Sequence, residues 1–358
     1  MDEPINPRSP DTFWIAVADA RFSTLDILLS TRTPAPVLLF PETSPRLIKH
    51  GAHDQDISSV EVENIRRTIQ ALLMRCGVPS HATPMNQEFY QQCVDEAIRR
   101  GYPMDGHRSV RTYLREGAVY SATALAHLDH QPTRIWAALF TSCGLFVDDA
   151  ASRASEVGYV YQFNDRFIQK EAQHNGVLDA LADLLRETSV HFLPIPANLV
   201  TTSILNFVTA SLLAYETKDM DVLIDAERYP AYARVKSGIG EAYAFLVFSR
   251  KMALSGYVQA IPEMIQFLHN MNDILSFYKE EKAGETTNQI SLIASRNKTS
   301  KFEAFEALAQ VTAEQFVQIS KILEASPAAC NAFKRFVAGY VVFHCSVERY
   351  KLADLQLC

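Results

Sequence analysis

The chain has 358 residues, 48% hydrophobic and 21% charged, with 13 Gly and 16 Pro, enough for a sizeable core in one or two domains. A net charge of −7 excludes the broad basic face of a generic nucleic-acid binder, but not an anionic substrate held by local cations or metal. The six cysteines (Cys76, Cys93, Cys143, Cys330, Cys345, Cys358) show no CxxC and no paired spacing, which reads as a reduced, cytoplasmic protein.

Residues 1–58 carry Pro4, Pro7, Pro10, Pro34, Pro36, Pro41 and Pro45 and little periodicity, so they read as an N-terminal arm packed on a larger body. Their acidic, proline-bearing start is unlike a secretory signal. From 59 to 358 helical periodicity dominates and predicts a single α-helical domain. The stretch SSVEVENIRRTIQALLMRCG opens on serines and closes on Gly77, a cap signal at each end. Further helices are expected at about 86–100, 108–128, 131–149, 174–187, 195–215, 238–254, 259–282, 301–325 and 330–354. NLVTTSILNFVTASLLAY (198–215) is interrupted by Asn, Thr and Ser, which favours a core helix over a membrane span. Strand alternation is scarce, so the expected class is all-α.

Three places carry chemistry. In TSCGLFVDDAASR (141–153), Asp148 and Asp149 end an apolar helix, with Asp148 expected to continue the face of Trp136, Phe140 and Gly144. Adjacent carboxylates repel unless a cation bridges them, and they oppose the negative end of the helix dipole. A solvated C-terminal pair is the plainer alternative. In NDILSFYKEE (272–281), Asn272, Ser276 and Glu280 drift only about 40° per step of four, and Lys279 falls within about 20° of Asn272. An amide, a hydroxyl and a carboxylate are hard oxygen donors of the kind magnesium takes. A solvated face is the alternative here too, and His269, one turn earlier, reads as a satisfied core histidine. In FVAGYVVFHCSVERYKL (336–352), Tyr340, Phe343, Val347 and Tyr350 recur at three or four and lead to Arg349, a planar fork suited to phosphate.

Together, VDDAAS, NDILSFYKE with NQISL, and ERYKL resemble the signatures of class I terpene synthases, and more closely fungal sesquiterpene cyclases of the trichodiene synthase type. YPAYARVKSGIG (229–240) is similar to the family segment holding a diphosphate-sensing arginine, which falls on Arg234. The resemblance runs from about residue 60 to the end. One position departs from it: Ser152 stands where the family's acidic motif has a third acid, and Glu156 lies one turn further on.

The resemblance implies a helical bundle around a central apolar cavity. It implies a sesquiterpene cyclase that ionises a linear prenyl diphosphate, most simply farnesyl diphosphate. Three magnesium ions are implied, two on Asp148 and one on Asn272, Ser276 and Glu280. Arg234, Lys279, Arg349 and Tyr350 would grip the diphosphate, and a kink at Gly238–Gly240 would meet the allylic cation. Phe140, Thr141, Leu145, Ile265, Leu268, Phe343 and Val347 are the candidate cavity walls, with Tyr113 as a further one and an ordinary core role as the alternative for each. A prenyltransferase of the same fold would carry a second aspartate-rich motif where this chain has Asn272. A non-catalytic ligand-binding descendant is the alternative that Ser152 leaves open. The resemblance permits a homodimer.

Overall fold

In the computed structural model, which describes residues 57–358 apart from 107, 219, 221, 224 and 287, the capping signals around the first helix act as read. Ser58 accepts from the Glu61 amide, and the Glu61 carboxylate accepts from the Ser58 amide at 2.9 Å, so both satisfy amides at the start of helix α1 (Ser59–Cys76). Gly77 closes it at φ 64°, the left-handed region glycine enters without penalty. The expected arm lies almost wholly outside the described residues.

The helices follow in chain order as α2 (Gln87–Arg99), α3 (Arg111–Thr123), α4 (Gln131–Ala151), α5 (Val157–Tyr161), α6 (Phe163–Gln169), α7 (Gly176–Arg186), α8 (Thr188–His191) and α9 (Pro194–Glu216). Beyond these lie α10 (Tyr229–Ser237), α11 (Gly240–Leu246), α12 (Ile261–Lys282), α13 (Gln289–Asn297), α14 (Lys301–Ile322) and α15 (Pro327–Ser346). No strand occurs among the described residues, so the all-α expectation holds. α3 is pressed between α4 and α15. A side-chain carbon on Gly117 would stand 2.2 Å from the Ala138 carbonyl oxygen, and one on Gly339 would stand 2.1 Å from that of Thr123. Only glycine lets these backbones approach so closely.

Two expected helices need correction. The helix expected over 238–254 ends at Leu246: Phe248 stacks on Tyr257 with centroids 4.0 Å apart, folding the chain back before α12. The helix expected over 330–354 ends at Ser346. Val347 is extended and Lys351 left-handed, so Arg349 and Tyr350 sit on a single 3₁₀ turn, Glu348–Tyr350. The same reversal brings Cys358 onto α15, where it forms a disulfide with Cys345 at a Cα separation of 5.5 Å. This corrects the expectation of six unpaired thiols; a spacing of thirteen carried no signal because the tail's turns create the proximity.

Helix α9 is long and apolar enough to cross a membrane, with 39% of its apolar window buried in the protein. Val200, Ile204, Phe207 and Val208 face inward, so it is a core helix along one stripe rather than all round. It packs on α10 and α11.

The disulfide gives a countable outcome. Unfolded without reductant, the protein should alkylate at four thiols (Cys76, Cys93, Cys143 and Cys330), and at six after reduction. Six modifications without reductant, counted by intact mass, would rule the bridge out.

Candidate active site

On α4, Thr141, Gly144, Leu145 and Asp148 line a cavity of about 190 Å³. Their spacing of three, one and three keeps them on one helical face. Trp136 and Phe140 do not continue that face. A step of four drifts by about 40°, so twelve residues separate Trp136 from Asp148 by about 120°. Both rings are buried, stacked on each other at 4.8 Å, and Phe140 is a core residue behind the wall, not part of it.

The two aspartates separate for the same reason. Asp149 is turned from the cavity, accepts a hydrogen bond from the Tyr113 hydroxyl at 2.6 Å, and pairs with Arg153 at 3.3 Å. Tyr113 is therefore a support for Asp149 and does not line the cavity. Asp148 faces the mouth, with its side chain 60% exposed and Arg349 at 3.9 Å. Loss of hydration among the surrounding groups raises the Asp148 carboxyl above the ordinary range, against the opposing pull of Arg349. Ser152 donates to the Asp149 carbonyl at 2.8 Å, a local bond within its own turn. Glu156 is buried and engaged by Arg108 and Arg153, each at 3.2 Å.

On α12, Leu268, His269, Asn272, Ser276 and Lys279 line the same cavity, and Glu280 opens into an adjoining recess of about 410 Å³. Asp148, Arg234, Asn272, Lys279 and Arg349 border both spaces, so the charged residues form the neck between them. Arg234 reaches from α10 and donates to Asp273 at 2.9 Å and to the Asn272 carbonyl oxygen at 3.2 Å. Asn288 caps α13 and also donates to Glu280 at 3.0 Å. Ile265 packs on the core and Val347 is buried; neither lines the cavity.

Four features escaped the sequence reading. Asp273, adjacent to Asn272, is the buried counter-charge that an enclosed arginine needs, which was the available signal. His344 donates from Nδ1 to the Tyr340 carbonyl oxygen at 2.8 Å, so its Nε2 lone pair accepts from the Asn272 amide nitrogen at 3.4 Å. His269 is buried as expected, yet its Nε2 has no partner among the described residues. Tyr120 on α3 and Tyr243 on α11 join Phe343 and Tyr340 as aromatic walls, with Tyr120 5.0 Å from Tyr243 and 5.4 Å from Phe343. No motif marks either tyrosine.

The helix break lies where expected. α10 stops at Ser237 and α11 starts at Gly240, with Ile239 at φ 51° between them. A side-chain carbon on Gly238 or Gly240 would stand 2.2 or 2.4 Å from His269 Nε2, so the imidazole fills the room the glycines leave. A β-branched residue at positive φ is strained and persists because its surroundings hold it.

The donor types suit a hard divalent cation. Among the described residues no three His, Cys, Asp or Glu side chains gather as a metal site, so a metal here would rely on Asp148 and Glu280 together with the Asn272 amide and Ser276 hydroxyl.

This helical fold with its polar neck over an aromatic cavity is that of class I terpene synthases. A linalool/nerolidol synthase from Streptomyces clavuligerus, solved with 2-fluorogeranyl diphosphate, superimposes with a TM-score of 0.52 at 14% identity, over 77% of this chain and 97% of that one. The trichodiene synthase family profile matches residues 82–356, and the chain belongs to that family. It is 34% identical to an α-cuprenene synthase from Coprinopsis cinerea over 82% of this chain and 90% of the relative. It is 30% identical to terpene synthase BipA from Cochliobolus sativus over 90% and 93%. The protein is a terpene synthase, a lyase acting on prenyl diphosphates.

Burial pushes the His344 imidazole down to about 3. Its folded value lies below its unfolded value near 6.5, so in that window the unfolded chain binds the extra proton and stability falls as pH falls. Wild-type stability should drop between pH 6.5 and 4 more steeply than that of His344→Gln, by up to about 1.4 kcal/mol per pH unit. Parallel slopes in denaturant titrations would contradict this.

Proposed function

We propose that this terpene synthase is a magnesium-dependent cyclase of farnesyl diphosphate. The observation that carries the reading is the neck: residues from all the resembling segments, Asp148, Arg234, Asn272, Lys279 and Arg349, border both the aromatic cavity and the charged recess. An anionic head at the neck and a hydrocarbon tail in the cavity match a prenyl diphosphate in polarity.

Asp148 would hold two ions and Asn272, Ser276 and Glu280 a third. Magnesium bound there would neutralise the charge developing on the departing diphosphate. Arg234, Lys279, Arg349 and Tyr350 would donate to the diphosphate oxygens, with the arginines offering a two-pronged fork. When the carbon–oxygen bond breaks, its electron pair leaves with the diphosphate, and preoriented donors favour that charge more than they favour the intact ester. The cation left behind faces Tyr120, Tyr243, Tyr340 and Phe343, whose ring faces attract positive charge without supplying a strong nucleophile. Thr141, Leu145 and Leu268 complete an enclosure that keeps water from an early quench. A cytoplasmic location belongs to the same proposal and meets one opposing observation, the Cys345–Cys358 bridge, which reducing compartments disfavour.

Incubation with farnesyl diphosphate and magnesium should yield cyclic hydrocarbon, and excess chelator should abolish it; undiminished turnover in chelator would overturn the reading. Asp148→Asn should lower kcat/KM by orders of magnitude in a protein that melts normally, while Ser152→Ala should leave it nearly unchanged, since that hydroxyl serves its own turn. Arg349→Lys preserves charge but loses the fork, so it should cost activity. Tyr350→Phe should be milder, at about 0.5–1.5 kcal/mol in apparent transition-state stabilisation. Equal rates for wild type and Arg349→Lys would leave that residue a structural role only.

A further inference from the structure

Arg349 and Tyr350 stand inside a covalent ring. Cys345 lies in the last turn of α15, Cys358 follows thirteen positions later, and their bridge closes the segment that carries both side chains. That segment uses backbone that ordinary residues avoid: Lys351 and Gln356 both lie at φ 54°. Such conformations persist only where the surroundings over-determine them. Two holds are present, the buried side chains of Leu352, Leu355 and Leu357, and the bridge itself. Held in this way, the Tyr350 ring lies 4.2 Å from His344 and 5.6 Å from Phe343, and Arg349 reaches Asp149 at 3.5 Å in the mouth.

The two sulfurs are unequal. Cys345 is 9% exposed, whereas Cys358 is open to solvent. A small thiolate therefore reaches the Cys358 sulfur first. Attack there breaks the S–S bond, and its electron pair leaves on the Cys345 sulfur, which takes a proton from water. The second thiol of a dithiol then attacks the mixed disulfide and frees Cys358. The reductant ends as a cyclic disulfide, so two electrons and two protons pass to the protein in all. Cys76, Cys93 and Cys143 do not compete, because they are buried and burial pushes their thiols up, away from the reactive thiolate.

We propose that Cys345–Cys358 is a thiol–disulfide exchange site, opened by dithiol reductants, that sets how firmly the Arg349–Tyr350 turn is held for a diphosphate. This rests on the diphosphate-binding reading of those two side chains. A bridge of this kind also suits a reducing compartment, where the disulfides that do form are usually redox-sensing or catalytic rather than permanent. Opening it leaves the three leucines packed, so the bundle stays folded. The turn loses one of its two holds, the left-handed residues relax, and the diphosphate must then re-order the turn as it binds.

The test compares wild-type protein before and after excess dithiothreitol, with thiols counted by intact mass and both forms assayed well below their melting temperatures. Affinity for inorganic diphosphate with magnesium is measured by calorimetry beside turnover of farnesyl diphosphate. Reduction should weaken diphosphate binding and raise KM by about threefold or more, the scale of re-ordering a side chain or two on binding. The change in kcat should be smaller, and reoxidation by oxidised glutathione should restore both values. Cys358→Ser without reductant should match reduced wild type and ignore dithiothreitol, while Cys330→Ser should respond as wild type does. Equal diphosphate affinity in the bridged and reduced forms would overturn the proposal. So would a response to reductant that persists in Cys358→Ser, or wild type that unfolds on reduction, since the bridge would then be a structural clamp. If Cys358→Ser fails to fold, the reduced and reoxidised wild type decides alone. Conversion of farnesyl diphosphate by neither form would sink the cyclase reading, and the calorimetry would still decide the bridge; conversion by both with equal affinities would sink the bridge assignment alone.

Discussion

The ion pair between Arg234 and Asp273 is the contact on which the candidate site depends. The guanidinium lies 2.6 Å from the carboxylate, and both side chains are largely enclosed, at 18% and 8% exposure. Burial raises the Asp273 carboxyl while Arg234 pulls it down, so neither group is comfortable without the other. Removing one partner of such a pair typically costs about 3–5 kcal/mol because the other charge is left buried. The pair joins α10 to α12, and the same guanidinium donates to the Asn272 carbonyl oxygen and the His269 backbone carbonyl. It thereby fixes the distance between the helix break and the oxygen-donor stripe.

Around that joint the polar groups are arranged so that several act on one another. His344 meets the amide nitrogen of Asn272 while Arg234 donates to its side-chain oxygen, the imidazole tautomer being set by the Tyr340 carbonyl. Asn288 ties Glu280 to the start of α13. Asp149 takes Tyr113, Arg153 and Arg349, which leaves Asp148 as the carboxylate open to the mouth. Supports of this kind orient candidate ligands before anything binds, and such orientation is what metal and anion sites draw on.

The apolar half of the site follows a different logic. Gly117 and Gly339 let α4 and α15 close tightly on α3, while Gly238 and Gly240 make room for His269. Bulk removed from the helix contacts allows Tyr120, Tyr243, Tyr340 and Phe343 to converge on one space. Packing at crystal-like density then makes the shape of that space sensitive to single side chains.

By itself the sequence determined what depends on spacing along one helix: the all-α class, the caps at Ser58 and Gly77, and the Asn272/Ser276/Glu280 stripe with Lys279. These are local because 3.6 residues per turn and the allowed φ regions decide them. It also carried motifs sufficient to place the chain among its relatives. What it misplaced depends on accumulated angle or on the return of the chain. Phe140 drifts off the Asp148 face, the last helix yields at Val347, and Cys358 returns to Cys345. What it left unmarked depends on contacts between distant segments: Asp273 as the partner of Arg234, His344 behind Asn272, and Tyr120 in the aromatic wall. Only the tertiary structure decided those, because a counter-charge or a cavity wall is defined by which helices meet, and no spacing within a single helix encodes its neighbour.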